Sequence, residues 1–183
     1  MSLALDIQRY TYDDYKLWKG DWELIEGIPQ AMSPSPVRDH QGLTTFMSHL
    51  LLEEIEECEE CQVVSELDYI VDDENILRPD IALICNEDND YIIKPPKIIV
   101  EVLSPSTAIR DKNVKFKIYE EQHIPYYVML DTRTLTAKIY KLEDKKYSLD
   151  GVLDDKKYKF KLEECGDIEI DFKRLFKKFK NKR

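Results

Sequence analysis

Apolar residues along this chain recur with two different periods. From about Asp39 to Cys58, Leu43, Phe46, Met47, Leu50, Leu51 and Ile55 return at helical spacing, which predicts an amphipathic helix. Elsewhere the pattern is short and β-branched. "WELIEGIPQAMSPSP" reads as a hairpin around Glu26-Gly27 that ends at prolines. "CQVVSELDYIV" and "NILRPDIALICNED" each read as a strand, with Pro79 near the start of the second, where proline is tolerated. "DNDYIIKPP" reads as a loop and "KIIVEVL" as a strand.

A second helix is predicted over "PSTAIRDKNVKFKIYEEQHI", capped by Ser106 or Thr107. "PYYVMLD" and "TLTAKIYKL" are two further strands joined by a turn at Thr132-Arg133. "KKYSLD" and "KKYKF" extend as a hairpin. A short N-terminal helix, "YDDYKLWKG", follows Thr11 as its cap, and the closing helix carries Phe172, Leu175, Phe176 and Phe179 in one stripe. A helix between two strands suggests a crossover, so the expected fold is α/β, a mixed sheet with helices on both faces and an N-terminal β-hairpin.

One residue breaks its pattern. In "IIVEVLSPST", alternation puts Ile99, Glu101 and Leu103 on one face and Ile98, Val100 and Val102 on the other. Both faces are otherwise apolar, so Glu101 needs a metal, a cation or a proton of its own. Asp80 stands at the edge of the preceding apolar run, "IALIC". If these strands are neighbours, the two carboxylates lie close together and repel each other unless a cation sits between them. Such oxygen donors suit magnesium, with waters completing its shell. On the following helix, Asp111, Lys115, Ile118 and Tyr119 fall on one side, which turns Lys115 toward the sheet. Two carboxylates and a lysine around a hydrated cation suit phosphodiester hydrolysis.

Composition and charge narrow this only slightly. The 183 residues are 43% hydrophobic and 35% charged, an ordinary globular balance. No apolar run approaches the roughly 20 residues of a membrane span, and the N-terminus lacks the regions of a signal peptide. A cytoplasmic location is therefore expected. The four cysteines fit it as free thiols. Cys58 and Cys61 form a lone C-x-x-C, and no second pair follows at a spacing that suggests zinc. Net charge is −10, yet the tail "DFKRLFKKFKNKR" holds seven Lys or Arg and one Asp. That tail, with Lys112 and Lys117, offers phosphate contacts. The plainer reading docks its apolar stripe on the body and leaves the lysines in solvent. No G-x-G-x-x-G or P-loop occurs.

"RPDIALI", then "IIVEVLSPST", then "RDKNVKFKIYEEQHIPYYVMLD" together resemble the PD-(D/E)XK nuclease superfamily. Within it, the chain resembles the Uma-type (Uma-two) family of restriction endonucleases. "WELIEGIPQAMSPSPVRDHQ" looks like that family's N-terminal hairpin and "LFKKF" like its end. The resemblance covers nearly the whole chain. It implies one restriction-endonuclease-like domain over 1–183: a helix and hairpin at 1–36, a nuclease-like core at 37–142, and an extension with a basic amphipathic helix at 143–183.

It further implies phosphodiester cleavage with Mg2+ or Mn2+; DNA is the expected substrate, and a homodimer is expected because cutting both strands commonly uses two sites. Asp80 and Glu101 match the two motif acids and would hold the metal. The motif lysine would stand two residues after Glu101, but Leu103 is there, which makes Lys115 its substitute. Glu23 and His40 match family-typical site positions. Ser104, Ser106 and Lys112 would contact a phosphate, although the serines also suit caps and turns. The alternative is an inactive interaction module on the same fold, its carboxylates paired with Arg78, Lys115 or another cation.

Overall fold

A computed structural model describes residues 8–32, 37–103 and 110–180, with the side chains of 110–112 left out. The elements run α1 (Tyr12–Tyr15), β1 (Trp22–Ile25), β2 (Ile28–Ala31), α2 (Arg38–Glu54), β3 (Cys61–Val64), β4 (Tyr69–Asp72), β5 (Asn75–Leu77) and β6 (Ile81–Cys85). They continue with β7 (Ile98–Leu103), α3 (Arg110–Glu121), β8 (Tyr126–Asp131), β9 (Thr136–Glu143), β10 (Lys146–Leu153), β11 (Lys157–Leu162), β12 (Gly166–Asp171) and α4 (Phe172–Lys180).

The central sheet has the order β10-β9-β8-β7-β6-β3. Its β7–β8 pair is parallel and its other pairs are antiparallel. The parallel pair needs a crossover, and α3 supplies it. A smaller sheet, β2-β1-β5-β4, lies beside this one, and β11-β12 forms a third. The β1–β2 turn has Glu26 and Gly27 both at positive φ, the conformation a tight two-residue hairpin demands.

The alternation along β7 is realised. Ile98, Val100 and Val102 join a core with Leu43, Met47, Leu50 and Leu51 of α2 and with Phe172, Leu175 and Phe176 of α4. Ile99 joins the opposite core with Ile118 and Tyr119 of α3 and with Ile25, Tyr69 and Leu77 of the smaller sheet. Helices therefore cover both faces of the central sheet. Gly42 of α2 admits the ring of Phe179, since a Cβ there would stand 2.8 Å from it. The closing helix thus docks by its apolar stripe. Its cations find local partners: Arg174 pairs with Glu53, Lys180 with Asp154, and Lys178 lies over the Phe46 ring.

Four expectations need correction. "CQVVSELDYIV" is two strands, β3 and β4, in different sheets, divided near Glu66 with its φ of 53°. "NILRPDIALICNED" likewise splits into β5 and β6 around Arg78-Pro79, where proline removes a ladder donor. "KKYSLD" pairs back on β9, while "KKYKF" pairs with the unforeseen strand β12. The cysteines are not free thiols: Cys58 bonds Cys165 and Cys61 bonds Cys85. Those partners lie 107 and 24 residues away, beyond the reach of a local spacing argument. Among the described residues, no helix is long and apolar enough to cross a membrane.

Candidate functional site

β6 and β7 are antiparallel neighbours, with Ile81 paired to Val100. One further step in that register sets Asp80 across from Glu101. Asp80 Oδ2 accepts a 2.6 Å hydrogen bond from the Val102 amide, which fastens the acid to β7. Glu101 is thus held by strand pairing, and Asp80, one residue before β6, by the bond its carboxylate accepts from β7.

Glu101 is surrounded. Its Oε1 accepts from Lys115 Nζ at 3.1 Å and from the Tyr119 hydroxyl at 2.9 Å. Lys115 also contacts Glu23 Oε1 at 2.7 Å. That same oxygen accepts from the Arg78 amide at 2.7 Å, so the smaller sheet is tied to the centre of the larger one. From the start of α2, His40 Nε2 lies 3.3 Å from Asp80 Oδ1. Glu23, His40 and Lys115 are buried, and Asp80 and Glu101 are nearly so.

The electrostatics follow from this burial. Desolvation pushes Glu101 up to about 7, against the pull of Lys115 and with the push of Asp80 and Glu23. Burial disfavours a charged Lys115, but Glu101, Glu23 and Asp80 overcome it and hold the ammonium protonated. Burial likewise opposes a charged His40, and the contact with Asp80 raises its pKa all the same. His40 Nδ1 is buried with no hydrogen-bond partner.

Of the residues singled out from the sequence, Glu23, His40, Asp80, Glu101 and Lys115 thus converge. Arg78 joins only through its backbone. Its guanidinium bonds Asp68 and Asp21, each at 2.7 Å. Ser104, Ser106 and the side chain of Lys112 lie outside the described residues. Leu103 shares the face of β7 that carries Glu101 and packs against the core of Ile118 and Tyr119; it also lines a cavity of about 390 Å³ with Asn113, Phe116, Asp131, Lys138 and Tyr140.

Sequence reasoning missed the Tyr119 hydroxyl as a donor to Glu101. Its helix position, four residues after Lys115, was the available signal.

The acids fit a hard divalent ion. Asp80 and Glu101 offer oxygen donors from a rigid strand pair, and magnesium is commonly held by one or two carboxylates plus water. No hydrogen bond from the described residues reaches Glu101 Oε2.

Known proteins match this chain along most of its length. The family described as Uma2, putative restriction endonuclease, matches residues 12–163. The uncharacterized protein sll1609 of Synechocystis sp. is 30% identical over 163 residues, covering 84% of this chain and 85% of its own. The crystal structure of a putative nuclease belonging to DUF820 from Anabaena variabilis superposes with a TM-score of 0.75 at 15% identity. That match covers 92% of this chain and 98% of the other. The shared fold is therefore nuclease-like.

Proposed function

The chain belongs to the Uma2 family of restriction-endonuclease-like proteins, and from that premise we propose that it is a metal-dependent endonuclease that hydrolyses DNA phosphodiester bonds. The reading takes 1–183 as one domain acting in the cytoplasm as a homodimer, since cutting both strands commonly uses two sites.

One observation carries the proposal. Glu23 and Glu101 both contact Lys115, whose ammonium they hold protonated, and Asp80 adds its charge to the same field. Three carboxylates against one ammonium leave an excess of two negative charges. Without metal, the raised pKa values of Glu101 and His40 ease that excess in part. A divalent ion would offset it directly.

Asp80 and Glu101 would hold Mg2+ or Mn2+. Bound there, the ion would acidify a coordinated water and neutralise phosphate charge. Lys115, fixed between Glu23 and Glu101, orients the nucleophile or donates to the charge that develops on the phosphate. His40 holds Asp80 from the opposite side and stands ready to accept or donate a proton. Glu23 and Tyr119 set the positions of Lys115 and Glu101.

A second reading has its own observation. Lys115 and His40 already pair with the acids, and Leu103 replaces the expected lysine. On that reading the chain is an inactive interaction module.

Supercoiled plasmid incubated with Mg2+ or Mn2+ separates the two. Wild type nicks it and Asp80→Ala does not, with RNA as a parallel substrate. Equal inertness of both proteins, together with no metal-induced rise in melting temperature, would leave the interaction module.

A further inference from the structure

The fold gathers all four cysteines at one place. Cys58 lies just after α2, Cys61 opens β3, Cys85 closes β6, and Cys165 sits in the β11–β12 turn. Cys61 and Cys85 are register partners on neighbouring strands. The sulfurs of Cys58, Cys61 and Cys165 all lie within 4.8 Å of one another, and Cys85 is bonded to Cys61. The two disulfides therefore form one four-sulfur cluster rather than two separate staples.

Zinc takes four thiolates tetrahedrally, with one pair commonly spaced C-x-x-C. Zn–S bonds of roughly 2.3 Å set neighbouring sulfurs about 3.8 Å apart, a separation within the 4.8 Å that contains the sulfurs of Cys58, Cys61 and Cys165. The surroundings are anionic. Glu56, Glu57, Glu60 and Glu164 line the mouth of a cavity that includes Cys58 and Cys165. Glu60 Oε2 lies 3.6 Å from Cys58 Sγ. Glu164 pairs with Lys97 through one oxygen, and its other oxygen is buried with no partner. These carboxylates draw a divalent cation toward the sulfurs.

We propose that reduced Cys58, Cys61, Cys85 and Cys165 form a four-thiolate zinc centre, of which the two disulfides are the metal-free oxidised form. Each disulfide takes two electrons and two protons from a dithiol reductant, which leaves as its own disulfide. Zinc then displaces the four thiol protons into solvent.

The centre lies far from the carboxylates of the proposed nuclease site. Asp80 and Cys85 stand at opposite ends of β6, roughly 17 Å apart at the usual rise per residue. It joins the segment after α2, β3, β6 and the β11–β12 turn, so it pins the strand that begins just after Asp80. It does not depend on nuclease activity.

The test uses the full chain, reduced and handled without oxygen, and titrated with Co2+. Tetrahedral thiolate cobalt gives intense near-ultraviolet charge-transfer bands and visible ligand-field bands. The expected result is saturation at one equivalent, with zinc displacing the cobalt one for one. Cys85→Ser and Cys165→Ser should each weaken cobalt binding by more than the roughly 10- to 100-fold that loss of an outer-shell partner costs. Each should also dim the charge-transfer bands. A reduced wild type that shows no thiolate bands overturns the proposal, as do serine variants whose spectra and affinity match wild type. Because the wild-type titration decides alone, a variant that fails to fold does not rescue the idea.

Discussion

Lys115 reaches Glu101 at 3.1 Å from a different element, fourteen residues further along the chain. On the proposed reading, Lys115 of α3 stands in for the lysine that the superfamily motif places beside its acid on the strand. The Lys115 ammonium also touches Glu23, at 2.7 Å.

Lys115→Met should abolish nicking, by at least about 100-fold, because the donor to the developing phosphate charge is gone. Breaking a buried ion pair costs roughly 3–5 kcal/mol, and a proton on Glu101 softens that to about 2–3 at neutral pH. Adding Leu103→Lys in the same chain moves the ammonium to the strand, on the face that carries Glu101. Partial recovery of nicking is expected. Unchanged activity in Lys115→Met would remove the lysine from the mechanism.

Tyr119→Phe deletes only the hydroxyl that donates to Glu101 Oε1. Loss of one such bond costs on the order of 1 kcal/mol, read as a small drop in urea midpoint. Tyr119 touches no substrate in this scheme and acts by aiming the carboxylate. Its loss should raise the Mg2+ concentration for half-maximal nicking severalfold. A magnesium dependence identical to wild type would reduce Tyr119 to core packing.

The site was more legible in the sequence than the sheets around it. A strand has period two and a helix turns about 100° per residue, so the faces of Glu101 and Lys115 follow from local spacing alone. The five converging residues needed only those rules and the motif resemblance. Sheet membership is not local. Nothing in "CQVVSELDYIV" says that its two halves pair with β6 and β5, which belong to different sheets. The cysteine cluster is hidden for the same reason, since it assembles from a turn, two strand ends and a distant hairpin. The Tyr119 hydroxyl lay between these cases: its burial was readable, its partner was not.

Arg78 ties the N-terminal segment to the smaller sheet through two acids of very different exposure. Asp68 is 11% exposed and also accepts from the Tyr15 hydroxyl at 2.9 Å, whereas Asp21 is 76% exposed. Arg78→Ala strands the Asp68 charge and should cost about 2–4 kcal/mol, somewhat less than a fully buried broken pair. At roughly 2–4 °C per kcal/mol for a chain of this size, the melting temperature falls by about 5–15 °C. Asp21→Ala should move stability by less than about 1 kcal/mol, as exposed pairs do. Equal losses in the two variants would mean that the guanidinium matters through packing rather than through Asp68.

Glu87 organises the loop between β6 and β7. Its carboxylate accepts from the amides of Asn89, Ile93 and Lys94 and from the Asn89 side chain. Partial burial alone would raise its pKa, but these donors outweigh it and hold the group near 2, well below the usual 4.5. A carboxyl depressed in the folded state stabilises above its unfolded pKa and loses that contribution as pH falls through its folded value. Glu87→Gln should therefore cost about 1–2 kcal/mol at pH 7, a figure discounted for the exposed part of the side chain. The gap between variant and wild type should hold down to about pH 5 and close between there and about pH 2. Urea unfolding at pH 7, 4 and 2.5 checks it. A gap at pH 2.5 as wide as at pH 7 would mean that the amides need only an acceptor oxygen, and that the charge on Glu87 contributes nothing.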